Sequence, residues 1–184
     1  MLGLYFSLSS SFLFLALIKN EKCLISVQKN NARRHSENFL DYLQKIFAKT
    51  NHSLKEINRI YFTSLPSGQT GIRITLAFLS ALQVLNPQIK LYHINTLLLQ
   101  VGESNHISLL TIDRRENKYY GAIYQRKNCL IKTHVIQKES LDKLTANFPT
   151  FPFLKDFQGV DFLINFQKLK NEFILLNNIE EIDN

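Results

Sequence analysis

The stretch Tyr61-Phe62-Thr63-Ser64-Leu65-Pro66-Ser67-Gly68-Gln69-Thr70-Gly71-Ile72-Arg73-Ile74-Thr75-Leu76-Ala77-Phe78-Leu79-Ser80-Ala81-Leu82-Gln83-Val84-Leu85 reads as a strand, a tight loop and a helix. The strand ends at Thr63, Pro66, Gly68 and Gly71 punctuate the loop, and the helix runs over 72–85. Backbone N–H groups at such a helix start can hold a phosphate, or the loop can simply fix a sharp strand-to-helix angle. The helix is apolar on every face, and no charge appears from Ile74 through Ile89. A helix of that kind must be covered all round. One side can lie on its own sheet, and a chain of 184 residues has little left to bury the other. The far side therefore reads as a protein–protein surface, with a wholly internal core helix as the alternative.

Upstream, the first eighteen residues carry no charge. No Lys or Arg precedes their apolar part and Ser7, Ser9, Ser10 and Ser11 interrupt it, so they read as two strands, 2–7 and 12–18, and not as a signal peptide or membrane span. A third strand over 23–28 completes a meander. Ser36 is a candidate N-cap for a helix in which Phe39, Leu40, Leu43, Ile46 and Phe47 form an apolar stripe that Tyr42 widens. Ser53-Leu54-Lys55-Glu56 has capping-box spacing. A strand over 90–94 follows the apolar helix.

Downstream come a short helix over 96–101, strands over 107–112, 118–125 and 130–137, a helix begun by Ser140, and a last core strand over 160–165. Strand, strand, strand, helix, strand, helix, strand is the order of a ribonuclease H-like core of the actin class, an α/β fold. The expected organisation is a first lobe with a mixed sheet at 1–95 and a shortened second lobe at 96–184.

With this order and loop in place, the chain resembles the TsaB (YeaZ) family of threonylcarbamoyladenosine biosynthesis over about 1–165. The family loop, G-x-G-P-G-S-F-T-G-x-R-I-G, matches Pro66, Thr70, Gly71, Arg73 and Ile74, while Thr63, Leu65, Ser67 and Thr75 stand at its glycine positions. Arg34-His35-Ser36-Glu37 matches the opening of the family's first helix, and Ile112-Asp113-Arg114-Arg115 with Tyr119 and Tyr120 its hairpin. The resemblance implies an ASKHA fold and a noncatalytic, cytoplasmic scaffold without cofactor or metal. It implies a catalytic paralogue, TsaD, as partner, an ATPase subunit, TsaE, a homodimer when the chain is alone, and contact with tRNA only through the complex.

The resembled fold normally ends its first strand in an Asp, with a Thr or Ser after it, that holds a metal–nucleotide complex, and Ser7-Leu8 or Phe6-Ser7 sits there instead; hydrated magnesium requires a carboxylate. No two of the five histidines lie four residues apart, so the metal-holding pair of the catalytic paralogue is missing. Cys23 and Cys129 form no CxxC and read as reduced thiols. The expected partner surface is Phe39, Tyr42, Leu43 and Ile46 on the first helix with Ile72, Leu76, Leu79 and Gln83 on the second, where Glu at Leu76 or Leu79 would abolish association and leave the monomer folded. The net charge of +7 makes a polyanion partner conceivable. Between Arg114 and Lys138 seven basic residues meet one acid, Glu116, with tyrosines interleaved, which marks Arg114, Arg115, Lys118, Arg126 and Lys127 as candidate RNA contacts. A solvated hairpin with tyrosines half in the core is the plainer reading. Two rivals remain beside the scaffold: a degenerate ATP-binding enzyme of the sugar kinase class, and a free-standing basic RNA-binding protein.

Overall fold

The computed structural model describes residues 1–9, 12–30, 35–113 and 115–182. The chain divides into two compact units, Met1–Ile94 with Glu172–Asn184, and Asn95–Asn171.

The first unit is built on strands β1 (Leu2–Ser7), β2 (Phe12–Lys19), β3 (Lys22–Asn30), β4 (Ile57–Thr63), β5 (Lys90–Ile94) and β10 (Ile174–Leu176), which form one sheet in the order β10-β5-β4-β1-β2-β3. β1, β2 and β3 pair antiparallel as a meander, while β4 lies parallel to β1 and β5 parallel to β4. β1 is buried at all six positions and β2 at all but the last, so their near-continuous apolar sequence belongs to strands covered on both faces.

The two-residue period divides that burial. Leu4 and Phe6 of β1, Leu13, Leu15 and Leu17 of β2, and Ile60 and Phe62 of β4 join one core with helices α1 (His35–Thr50) and α2 (Gln69–Leu85). Phe39 of α1 meets Phe6 at 5.4 Å and Phe78 of α2 edge-on at 4.9 Å between ring centroids. On the other face Tyr5, Tyr61 and Tyr92 are aligned in register across β1, β4 and β5, with centroids 4.5 and 4.9 Å apart. Burial pushes the Tyr5 hydroxyl well above the usual phenol range. Ser53 and Glu56 form the expected capping box, Glu56 Oε1 accepting from the Ser53 N–H at 2.8 Å.

The second unit has strands β6 (His106–Asp113), β7 (Lys118–Gln125), β8 (Asn128–Gln137) and β9 (Phe153–Lys155) in the order β8-β7-β6-β9, with β9 parallel to β6. Helix α4 (Lys138–Asn147) joins β8 to β9. Three antiparallel strands, a helix and a strand parallel to the first thus occur in both units, and together they make the ribonuclease H-like, actin-class arrangement with a shortened second half. Helix α3 (Thr96–Val101) is capped by Asn95, whose Oδ1 accepts from Leu97 N–H at 2.9 Å. Its buried Gln100 donates from Nε2 to Ser108 Oγ (2.7 Å) and the Leu154 carbonyl (2.8 Å), and its Oε1 accepts from Phe157 N–H (2.5 Å). One side chain therefore ties α3 to β6, β9 and the turn after β9.

Four local expectations are corrected. Residues 160–165 are not a strand: helix α5 (Phe162–Lys168) begins after Asp161, whose carboxylate accepts from Ile164 N–H at 3.0 Å, and Phe162 and Phe166 are both buried one turn apart. The second lobe does not run through Asn184, because β10 adds antiparallel to the free edge of β5 in the first unit. α4 starts at Lys138 without a side-chain cap, so Ser140 lies inside it. α1 starts at His35, which puts Ser36 inside its first turn. Of the serines that part the first two strands, Ser10 and Ser11 lie outside the described residues.

Gly71, in the first turn of α2, has no room for a side chain: a Cβ there would sit 1.9 Å from the Leu8 carbonyl oxygen. Backbone on backbone cannot yield by a rotamer change. Gly71→Ala is expected to destabilise the fold by about 2 kcal/mol or more, against the ~1–3 kcal/mol usual for overpacking, with equilibrium urea unfolding as the measure.

Candidate partner surface and the basic hairpin

The loop between β4 and α2 closes over the exit of β1. Pro66 is buried, Ser67 Oγ donates to the Leu8 carbonyl at 3.4 Å, and the Ile72 N–H is bound to the Gly68 carbonyl. Ser7, at the end of β1, is fully buried with Oγ 2.9 Å from Thr63 Oγ1 at the end of β4. Two buried hydroxyls thus meet at the carboxyl ends of the parallel pair β1 and β4. Ser64 Oγ donates to the Ile94 carbonyl at 3.2 Å and lies 3.1 Å from His93 Nδ1.

The eight residues expected at a partner surface divide into two sets. Phe39, Leu43, Ile46 and Leu79 are buried in the core of the first unit, and only Tyr42, Ile72, Leu76 and Gln83 are partly exposed. Leu79 has no exposed surface at all, so Leu79→Glu would put a carboxylate in the core and could not leave the monomer folded. The apolar stripes are real, but each packs its large residues inward first.

What α2 turns outward is Arg73, Ala77, Ser80, Ala81 and Val84, spaced i, i+4, i+7, i+8 and i+11 along one face. Val84 is 82% exposed, Leu85 73%, and Leu40 of α1 54%. None of these was among the residues expected at the partner surface. A signal was present: Ala77, Ser80 and Ala81 are small residues on one face of α2, opposite the face on which Gly71, Thr75, Leu79 and Leu82 are buried.

The basic hairpin is also rearranged. Arg114 lies outside the described residues. Arg115 and Lys118 sit at the β6–β7 turn, whereas Arg126 and Lys127 sit at the β7–β8 turn. The eight residues of β7 separate them, about 25 Å at the usual strand rise, so these cations form two groups and not one stripe. Lys118 pairs with Glu116, and Lys127 with Glu103 at 3.2 Å. Tyr119 and Tyr124 are 7% and 3% exposed, which leaves their rings unable to stack on bases. Both cysteines are free thiols, and burial pushes each above its usual range. Among the described residues no His, Cys, Asp and Glu cluster could hold a metal, and no helix is long and apolar enough to cross a membrane.

An actin-class α/β fold with two helices on one face of its main sheet, one of them presenting an outer row of mostly small residues, defines the class of this protein. The chain belongs to the family described as TsaD, tRNA N6-adenosine threonylcarbamoyltransferase, which matches residues 25–155, and within it the TsaB/YeaZ group is the one that the similar proteins support. It is 25% identical over 132 residues to the tRNA threonylcarbamoyladenosine biosynthesis protein TsaB of Buchnera aphidicola, covering 69% of this chain and 62% of that protein. It is 26% identical over 142 residues to the uncharacterized protein MG208 of Mycoplasma genitalium, covering 77% and 66%. The chain therefore spans just under two thirds of the length of these curated relatives. YeaZ from Pseudomonas aeruginosa shares the fold over 97% of both chains, with a TM-score of 0.70 at 14% identity.

The inward and outward faces of α2 predict different stabilities of the monomer. Leu79→Ala is expected to cost about 2–5 kcal/mol, as for a buried Leu, while Ala81→Glu and Val84→Glu stay within roughly 0.5 kcal/mol of the parent chain; thermal unfolding with matched urea titration, at protein concentrations low enough to keep the chain monomeric, measures both.

Proposed function

We propose that this chain is a scaffold subunit in the formation of threonylcarbamoyladenosine next to the anticodon of tRNA, and that it docks the catalytic paralogue TsaD on the outer face of α2. The observation that carries this reading is the face itself: Ala77, Ala81 and Val84 are exposed in one row, and no acid lies anywhere along α2. Small residues let a partner helix approach closely, and Val84 and Leu85 supply apolar area at one end of the row. Tyr42, Ile72, Leu76 and Gln83 form the flank that a partner would cover next.

The chemistry at the end of β1 agrees with a noncatalytic role. Ser7 and Thr63 bring hydroxyls where nucleotide turnover would need a carboxylate. The same reading makes the chain cytoplasmic, makes it a homodimer through this face when TsaD is absent, and gives it the ATPase subunit TsaE as a further partner. Contact with tRNA then comes through the complex, since the two basic turns lie at opposite ends of β7.

Solution mass measured by light scattering tests this directly. The parent chain is expected as a dimer alone and as a one-to-one complex when mixed with TsaD, and Ala81→Glu or Val84→Glu is expected to weaken both at least about tenfold while the circular dichroism is unchanged. A monomer that ignores TsaD, or variants that associate as the parent does, would remove this face from the proposal.

A further inference from the structure

In the second unit the ends of β6 and β9 and the start of β7 enclose a cavity of about 240 Å³, lined by Thr111, Asn117, Tyr119, Lys155, Asp156 and Gln158. β6 and β9 are parallel neighbours, with Leu109 opposite Lys155, so the cavity lies at the carboxyl ends of a parallel pair, where open α/β sheets expose side chains to ligands. The matching place in the first unit, at the ends of β1 and β4, is closed by the buried contact of Ser7 with Thr63. Here it is open.

The polar groups of this cavity are unevenly satisfied. Asp156 is committed: its Oδ1 accepts from Thr111 N–H at 2.7 Å and its Oδ2 from Thr111 Oγ1 at 2.6 Å. Lys155 is not. Its Nζ stands 4.5 Å from the centroid of the Tyr119 ring and donates to Tyr119 Oη at 3.4 Å, and among the described residues it has no carboxylate partner. The turn after β9 enforces the difference. Asp156 and Phe157 take φ of 48° and 60°, a left-handed backbone that is uncommon for residues with side chains. It is held by Asp156 N–H to the Leu109 carbonyl (3.0 Å), by Phe157 N–H to Gln100 Oε1 (2.5 Å), and by the buried Phe157 ring against Phe162. This bend turns the carboxylate to Thr111 and leaves the neighbouring ammonium facing the cavity.

A half-buried ammonium with donors to spare, beside a hydroxyl whose own proton is uncommitted because its oxygen accepts from Lys155, is a setting for an oxyanion. We propose that this cavity binds a compact, singly charged oxyanion group, a carboxylate or a phosphodiester, with Lys155 Nζ as counter-charge and Tyr119 Oη, Asn117 and Gln158 as neutral donors. The Asp156 carboxylate on the wall disfavours a dianion by like-charge repulsion. The volume seats the anionic head of a ligand, and the open mouth leaves the rest of the ligand in solvent. The site lies wholly in the second unit and does not depend on the partner surface of α2.

Amide chemical shifts of the ¹⁵N-labelled full chain, titrated separately with sodium acetate and with dimethyl phosphate at constant ionic strength, test it. Saturable shifts are expected at Asn117, Tyr119 and Lys155 to Gln158, with half-saturation below about 10 mM. The probe that saturates first tells a carboxylate ligand from a phosphodiester one. Lys155→Gln is expected to raise the half-saturation at least about tenfold, and Lys127→Gln, at the far end of β7, to leave it unchanged. If Lys155→Gln fails to fold, Tyr119→Phe keeps the ring beneath the ammonium, removes the hydroxyl, and is expected to weaken binding about threefold. No saturable shift with either probe, or equal weakening by Lys155→Gln and Lys127→Gln, would overturn the proposal.

Discussion

The contact on which the first unit depends is that of the first turn of α2 with the backbone leaving β1. Gly71 rests against the Leu8 carbonyl, and Ser67 Oγ donates to the same oxygen. This seats the helix over the parallel pair β1 and β4, so Thr75, Leu79 and Leu82 turn to the core and the row from Arg73 to Val84 turns away. It also explains why Gly71 stands among residues that replace glycine elsewhere in the loop. At Gly71 a backbone atom occupies the place of a Cβ, whereas Thr63 and Ser67 find room and hydrogen-bond partners.

The sheet carries two kinds of surface. Its helix side is aliphatic and phenylalanine-rich, a non-directional surface that α1 and α2 can cover with almost any large apolar residue. The opposite side carries the tyrosine row, in which ring faces and edges meet at defined angles; Tyr61 stacks on Tyr92 with 11° between planes and takes the edge of Phe173 at 84°. Phe173 immediately precedes β10, so the aromatic contact and the strand pairing bring the same returning segment to β5. In the second unit Gln100 has the corresponding part, since a buried amide must find partners and those partners belong to three different segments.

Charge follows the fold and not the sequence order. The excess of basic residues in the hairpin looks like a single stripe when read along the chain, yet a hairpin sends its turns to opposite ends of the sheet. Each end then acquires its own acid, Glu116 for Lys118 and Glu103 for Lys127. The β6–β7 end also receives Lys155, a cation contributed by a later strand and brought there by the parallel pairing of β9 with β6.

Local pattern alone settled a large part of this. β1, β5, α3 and β7 have the bounds that hydrophobic runs and turn residues indicate, because each is bordered by polar or turn-forming residues that compete with continuation. The order of elements, and with it the actin-class fold, follows from those segments. Residues 160–165 misled because Val, Phe, Leu and Ile in a short run satisfy a strand pattern as well as a helical one, and only the Asp161 cap and the paired burial of Phe162 and Phe166 distinguish them. Burial was only weakly marked in the sequence: the small residues Ala77, Ser80 and Ala81 fall on one face of α2, but large apolar residues on every side leave Leu79 and Val84 alike in the pattern. The contact of Gly71 with Leu8 decides that, by fixing the rotation of the helix about its axis. The pairing of β10 with β5, the parting of the basic turns and the meeting of Lys155 with Tyr119 likewise join residues far apart in the chain, and such meetings are set by strand pairing, which no local signal encodes.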